Sequence, residues 1–129
     1  MRPNEVSYKV IGAAMKVHSA LGAGILESTY DSCLCCELAQ AGLHFEHQVR
    51  LPINYAGNKL CRAYKIDFIV EKCLVVEIKC VAKLLPVHKA QLLSYLQLTG
   101  LMLGLLLNFN VPHMRDGIKR VINGPESEL

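Results

Sequence analysis

The sequence predicts an α/β domain with a mixed β-sheet flanked by helices. Two segments near the N-terminus repeat apolar residues at helical spacing, whereas residues 44–80 alternate apolar and polar residues as strands do. A third helical segment precedes a predominantly apolar run at 102–109, typical of a strand buried on both faces, and a short last strand at 117–122. The resulting order, α-α-β-β-β-α-β, places helices in layers against a sheet.

The chain is expected to form one domain. Its 129 residues are 52% hydrophobic and carry a net charge of +3, which excludes a disordered chain and does not argue for a strongly basic nucleic-acid binder. We assign residues 1–122 to the domain and 123–129 to a flexible C-terminal tail. No secretory signal is visible, and the longest apolar stretch is shorter than the roughly 20 residues that a membrane helix needs. We therefore expect a cytoplasmic protein with no membrane association and with reduced cysteines.

Glycines, prolines and capping residues predict the helix ends. The first helix is expected at 4–21, with Asn4 as its cap, and the second at 26–41. The third is expected at 86–99, because Pro86 suits a first helical turn and a glycine follows the segment.

The middle of the chain predicts an antiparallel meander. Strands are expected at 44–55, with a break near Pro52, and at 59–70, and the intervening "AGN" is a hairpin turn signal. A tight two-residue turn then leads to a third strand at 73–80.

Charged residues interrupt the apolar third strand. Glu77 and Lys79 are two residues apart and therefore point to the same face, and the hairpin brings Asp67 roughly across from them. Two adjacent carboxylates repel each other unless a positive charge balances them, and a divalent cation such as Mg²⁺ would supply that charge. Lys79 could then orient or deprotonate a water molecule, or stabilise charge developing on a phosphate. A salt bridge on a solvated strand face explains the same three residues equally well.

Four further blocks add a family resemblance. Asp67 followed by "EIK" at 77–79 resembles the D…(D/E)xK signature of the PD-(D/E)xK nuclease superfamily. "GILESTY" fits the motif of the GxxExxY family assigned to that superfamily, and "HKAQLLSYL", "GLLLNF" and "GIKRVI" resemble its later blocks. The resemblance implies a restriction-endonuclease-like core and a nuclease. Ile66 stands where the superfamily name has proline and Lys65 where relatives often have arginine, but neither change removes a required functional group.

The resemblance also implies roles for individual residues. The implied catalytic residues are Lys79, Glu77, Asp67, Glu27 and Gln91. Mg²⁺ or Mn²⁺ would be held by Asp67, Glu77, the backbone carbonyl of Ile78 and Glu27. The implied substrate-binding residues are Tyr95, His88, Lys65, Lys83 and Lys89.

Simpler interpretations stay open for several of these residues. Glu27 also suits the first turn of a helix because a carboxylate there favours the helix dipole. His88 is more typical of a simple surface position. Arg62 and the neighbouring lysines would contact a phosphate backbone or merely aid solubility. Cysteines at 33, 35 and 36 contain a CxxC spacing but lack the second clustered pair of most zinc or iron–sulfur sites, so buried thiols are favoured.

The sequence therefore predicts a metal-dependent nuclease that hydrolyses phosphodiester bonds by attack of a metal-activated water. Nucleic acid is the expected partner, with DNA favoured over RNA, and a homodimer is compatible with this function. The alternative is a non-catalytic module that binds nucleic acid or protein through the same face. A redox or metal-cluster protein that uses the cysteines ranks lowest.

Overall fold

A computed structural model describes the backbone of residues 1–129 and every side chain except that of Arg62. Our interpretation of Arg62 as a basic residue near the site therefore lies outside the described residues. The helices are α1 (Pro3–Leu21), α2 (Glu27–Gln40) and α3 (Pro86–Thr99). The strands are β1 (Phe45–Tyr55), β2 (Asn58–Val70), β3 (Leu74–Lys79), β4 (Leu103–Asn108) and β5 (Ile118–Ile122). The predicted order of elements is confirmed, and among the described residues no helix is long and apolar enough to cross a membrane.

The five strands form one mixed sheet in the order β1-β2-β3-β4-β5. The first three make the predicted antiparallel meander, β4 runs parallel to β3, and β5 returns antiparallel to β4. Since parallel neighbours need a crossover, α3 connects β3 to β4. One core packs α1 and α2 against one face of the sheet, and a second core packs α3 against the other. The molecule therefore has three layers.

The start of α1 differs from the prediction. The helix begins at Pro3, so Asn4 lies inside the first turn and is not the cap. The other predicted helix signals are confirmed, because Pro86 opens α3 and Gly100 ends it with a φ of 73°. Proline at the first helical position has no N–H to leave unpaired, which also explains why α1 begins at Pro3 rather than after Asn4.

The segment 123–129, which we predicted to be a flexible tail, is held at its end against the start of α1, whereas residues 124–128 are exposed. Leu129 is 2% exposed, and its carbonyl accepts a hydrogen bond of 3.0 Å from the backbone N–H of Asn4. The Arg2 side chain donates to the Ser127 carbonyl at 2.7 Å. The first N–H groups of a helix lack partners within it, and this segment supplies one. Its glycine, proline and serine content concealed that role.

Both turns of the meander use positive φ angles. The β1–β2 turn is formed by Ala56 and Gly57, with φ of 51° and 80°, as two-residue hairpins require. The β2–β3 connection, Glu71–Cys73, has three residues rather than the predicted two. The extra residue shifts the register by one. The break near Pro52 is confirmed by a register shift between Leu51 and Ile53.

Half-way along β1 and β2 the alternation of side chains reverses, so that residues two apart face opposite sides of the sheet. In β1, the exposed His47 packs on Phe68, which lies in the core beside α1 and α2, whereas Val49 packs against the core beside α3. In β2, Ile66 lies in the α3 core and Phe68 in the other. Residues two apart in a regular strand share a face. Gln48, between the two halves of β1, has a φ of 55°, which accounts for the reversal there.

Candidate active site

Asp67 and Glu77 meet where β2 separates from β3. The last backbone-paired residues are Phe68 and Val76, so the same register places Asp67 directly opposite Glu77. The Asp67 N–H donates to Glu77 Oε2 at 2.6 Å, and the Ile78 N–H donates to Asp67 Oδ2 at 2.8 Å. The carboxylates thus accept the bonds that backbone carbonyls would accept in a continuing ladder. They are 8% and 3% exposed.

This placement raises the pKa of both carboxyl groups. Burial is the main cause, and it raises the pKa of Glu77 to about 8 with a further contribution from the charge of Asp67. The Asp67 N–H, Lys79 and Lys65 act in the opposite direction but do not cancel the effect. Burial also raises the pKa of Asp67, against the hydrogen bond from Ile78. Two buried carboxyl groups that resist ionisation together would be ionised by a cation placed between them.

A cleft of about 220 Å³ opens at these carboxylates. Its lining contains most of the predicted site residues: Glu27, Lys65, Asp67, Glu77, Ile78, Lys79, Gln91 and Tyr95. Lys79 Nζ donates to Gln91 Oε1 at 3.4 Å, which orients the ammonium group from α3. Tyr95 is 5% exposed, and burial followed by the charges of Glu77 and Asp67 raises its pKa. All five predicted catalytic residues therefore share one cleft.

Three predicted substrate-binding residues lie outside the lining of this cleft. Lys83 and Lys89 are exposed and do not line it. His88 Nδ1 accepts a hydrogen bond of 2.9 Å from the Leu85 N–H, so the His88 ring satisfies a backbone donor at the start of α3.

The residues of the "GILESTY" motif have two kinds of role: some hold the loop before α2, and Glu27 faces the cleft. Gly24, with a φ of 85°, lies in the connection from α1 to α2, and Glu27 opens α2 facing the cleft. Tyr30 is fully buried and stacks on Phe109 with ring centroids 4.6 Å apart. Its hydroxyl donates to the Gly22 carbonyl and accepts from the Ile25 N–H at 3.2 Å. Tyr30 therefore fixes the loop that positions Glu27.

An adjoining cavity of about 230 Å³ contains polar residues that sequence reasoning missed. They are Ser28, Asp31 and Ser32 of α2 and Gln48 of β1, together with Glu27, Lys65 and Asp67 from the cleft. The helix residues had a detectable signal, because 27, 28, 31 and 32 form one polar face beside the apolar stripe of α2. Gln48 had no such signal. Its side chain donates to Asp31 Oδ2 at 3.1 Å.

Lys65, which lines the same cavity, forms a pair of cations with Arg50. Arg50 lies directly opposite Lys65 across β1 and β2, so both side chains leave the same face. Like charges in directly opposed positions destabilise a ladder. Neither residue takes part in a salt bridge among the described side chains. Such a pair is favourable when an anion lies beside it.

A family model described as the PD-(D/E)XK nuclease superfamily matches residues 4–121. The chain belongs to this superfamily. Members of this superfamily are usually nucleases that depend on a divalent metal. The restriction-endonuclease-like fold predicted from the sequence is confirmed.

A crystal structure described as that of SSO0001 has a similar fold. The two chains superpose with a TM-score of 0.60 at 23% sequence identity, over 96% of this chain. This chain spans 64% of the length of that protein. No curated protein matches the sequence significantly.

The donor set of the cleft fits a hard divalent cation. Asp67 and Glu77 have buried carboxylate oxygens, Glu27 has a third carboxylate in the cleft, and Ile78 lies in the same lining. Oxygen donors of this kind are those that Mg²⁺ and Mn²⁺ prefer. The raised pKa values of Asp67 and Glu77 are consistent with a site whose charge balance includes a cation.

Proposed function

We propose that this protein is a metal-dependent nuclease of the GxxExxY family that hydrolyses phosphodiester bonds of nucleic acid, with DNA favoured over RNA. The observation that carries this proposal is the buried Asp67–Glu77 pair, with Lys79 beside it in a cleft open to solvent. A salt bridge on a solvated strand face, the simpler interpretation of the same residues, would not need two carboxyl groups that are less than a tenth exposed.

Asp67, Glu77, Glu27 and the Ile78 carbonyl would hold Mg²⁺ or Mn²⁺. The ion would neutralise charge on the phosphate and make a bound water more acidic. Glu27 approaches from α2 and the other donors from the sheet, so the donor set depends on the packing of α2 that Tyr30 secures.

Lys79 would act on the attacking water. Its side chain shares a face with Glu77, and its contact with Gln91 Oε1 keeps Nζ in the cleft. From there Nζ can orient the water or hold its proton, and can stabilise negative charge as the phosphodiester is attacked. Gln91 is then a positioning residue that acts through Lys79.

Lys65 and Arg50 would bind the nucleic-acid backbone. Lys65 lines both cavities, and Arg50 extends the positive edge away from the carboxylates. Contacts of this kind position a strand without reading its sequence. Tyr95, on the α3 side of the cleft, would contact the same strand close to the carboxylates.

The test is cleavage of plasmid, single-stranded DNA and RNA with Mg²⁺, with Mn²⁺ and with a chelator. We expect cleavage that requires metal and is lost in Lys79→Ala and Asp67→Asn. Cleavage that survives both substitutions would assign the activity to another site or to a contaminant. Binding without cleavage under every condition would support a non-catalytic binding module instead.

A further inference from the structure

A second group of metal-binding side chains lies beside the nuclease cleft. Asp31 and Cys35 are four residues apart on α2 and so occupy the same helix face. His47 reaches them from β1. One ligand atom from each residue, a carboxylate oxygen, a thiol sulfur and a ring nitrogen, lies within 4.8 Å of the other two. Nothing in the superfamily motif refers to these three residues.

Two of the three side chains are already held in place. His47 Nε2 lies 2.5 Å from Asp31 Oδ1, and the His47 ring packs on Phe68 with centroids 4.8 Å apart. Gln48 Nε2 donates to the second oxygen of Asp31 at 3.1 Å. Outer contacts of this kind, which orient ligand side chains, are typical of protein metal sites.

We propose that Asp31, Cys35 and His47 bind Zn²⁺, at a site separate from the Asp67–Glu77 pair. Sulfur and imidazole nitrogen together select zinc over magnesium or manganese, whereas the Asp67–Glu77 donor set contains only oxygen. On binding, the Cys35 S–H bond breaks, its proton leaves to solvent, and a zinc–sulfur bond forms. The ion takes the place of the proton between His47 Nε2 and Asp31 Oδ1, this proton passes to solvent, and the ring binds through Nε2 as the neutral tautomer with its proton on Nδ1.

The site would fasten α2 to β1. Glu27 and Asp31 are one helical turn apart on the polar face of α2, and Gln48 follows His47 directly. A zinc ion here would therefore restrain both the helix that carries Glu27 and the irregular point of β1.

The proposal assigns the metal to a cysteine outside the CxxC pair. That spacing is formed by Cys33 and Cys36, but the thiol that joins Asp31 and His47 is Cys35. Cys36 is exposed and adjacent in sequence. It provides a matched control of the same residue type, one position away, that faces a different direction on the helix.

The test is a titration of the chelator-treated full chain with Co²⁺, which reports sulfur ligation through a charge-transfer absorption band. We expect one equivalent to produce the band in the wild type, in Cys36→Ser and in Glu77→Gln. The band should be absent in Cys35→Ser and weakened in Asp31→Asn, which keeps the thiol. Circular dichroism of each variant reports whether the fold is intact, and Zn²⁺ should displace Co²⁺ and abolish the band.

A wild-type protein without the band would overturn the proposal, as would a band that persists in Cys35→Ser or disappears in Cys36→Ser. If Cys35→Ser does not fold, Asp31→Asn decides the question, and an unchanged band in that variant would count against the site. Because the readout is spectroscopic, it does not depend on nuclease activity. Glu77→Gln separates this site from the proposed catalytic one.

Discussion

The Glu77 carboxylate accepts a hydrogen bond from the backbone of Asp67, the residue directly opposite it on the neighbouring strand. Asp67 in turn accepts from the residue after Glu77. Each carboxylate thus replaces one rung of the β2–β3 ladder at the point where the strands separate. Both groups are buried for a structural reason, and the chemical consequence is an acidic pair that burial makes difficult to ionise.

This pair makes stability depend on pH when no metal is bound. The pKa of Glu77 is about 8 in the fold and about 4.5 in an ordinary carboxyl group, so between these values the folded state binds more protons than the unfolded state. The free energy of unfolding should therefore fall as pH rises from 5 to 8, by up to a few kcal/mol. Urea unfolding in chelator at several pH values measures this slope. Glu77→Gln should flatten most of it, and an equally steep slope in that variant would contradict the assignment.

Lys79 should be needed for cleavage but not for folding. Lys79→Ala should lower the rate of cleavage by about 10²–10⁴-fold, the range that a positioned proton-transfer group typically supplies. Lys83→Ala is the control, because Lys83 is exposed and does not line the cleft. Single-turnover cleavage with Mg²⁺ or Mn²⁺ measures both variants. Equal losses in the two variants would point to general electrostatics rather than to a specific role of Lys79.

Arg50 should contribute to binding rather than to chemistry. Arg50→Ala should weaken nucleic-acid binding similarly for unrelated sequences and lower the slope of log K against log salt by about 1. Fluorescence anisotropy at several salt concentrations, in Ca²⁺ or chelator to prevent cleavage, measures the slope. Lys9→Ala, which removes an exposed charge from α1, should leave the slope unchanged. A slope that falls equally for Lys9 would mean that net charge alone determines binding.

Two substitutions of Gln48 separate the cost of its positive φ from the loss of its side chain. Gln48→Gly removes the side chain but suits a φ of 55°, so its free energy of unfolding should stay within about 1 kcal/mol of the wild type. Gln48→Val places a β-branched side chain at the same angle and should cost about 2 kcal/mol more than the glycine variant. Urea unfolding compares the two. Equal stabilities would indicate that β1 is regular at this position in solution.

Gly117 should be intolerant of a methyl group. A Cβ at this position would lie 1.9 Å from the carbonyl oxygen of Asn108, whose side chain brackets the backbone of Val81 just after Lys79. Gly117→Ala should lower the free energy of unfolding by about 3 kcal/mol. Gly12→Ala, in an open position within α1, should raise it by about 0.5–1 kcal/mol. Urea unfolding distinguishes them, and a neutral Gly117→Ala would contradict the close approach.

The site was predictable to the extent that it depends on strand alternation and hairpin closure. Glu77 and Lys79 share a face in any strand, and a hairpin near Glu71 must bring Asp67 close to them. The register was not predictable to one residue. A two-residue turn would have placed Asp67 opposite Val76, and the third residue of the connection moves it opposite Glu77.

Other features depend on contacts that no local pattern encodes. Gln48 has a positive φ because the two halves of β1 pack against different cores. Glutamine has no preference for this conformation, so the sequence does not predict it. The packing of Leu129 against α1 joins the two ends of the sequence and is hidden by the turn-forming residues before it. The sequence predicts Cys35, like its neighbours, to be a space-filling thiol, because His47 comes close to it only in the folded chain.

The exchange of faces at Gln48 and Asp67 couples the lengths of β1 and β2. Inserting or deleting one residue in either strand alone, between this point and the hairpin turn, would move every later side chain of that strand to the wrong core. Compensating changes in both strands would preserve the pairing and both cores. When sequences of relatives are aligned, gaps in this hairpin should therefore occur in matched pairs.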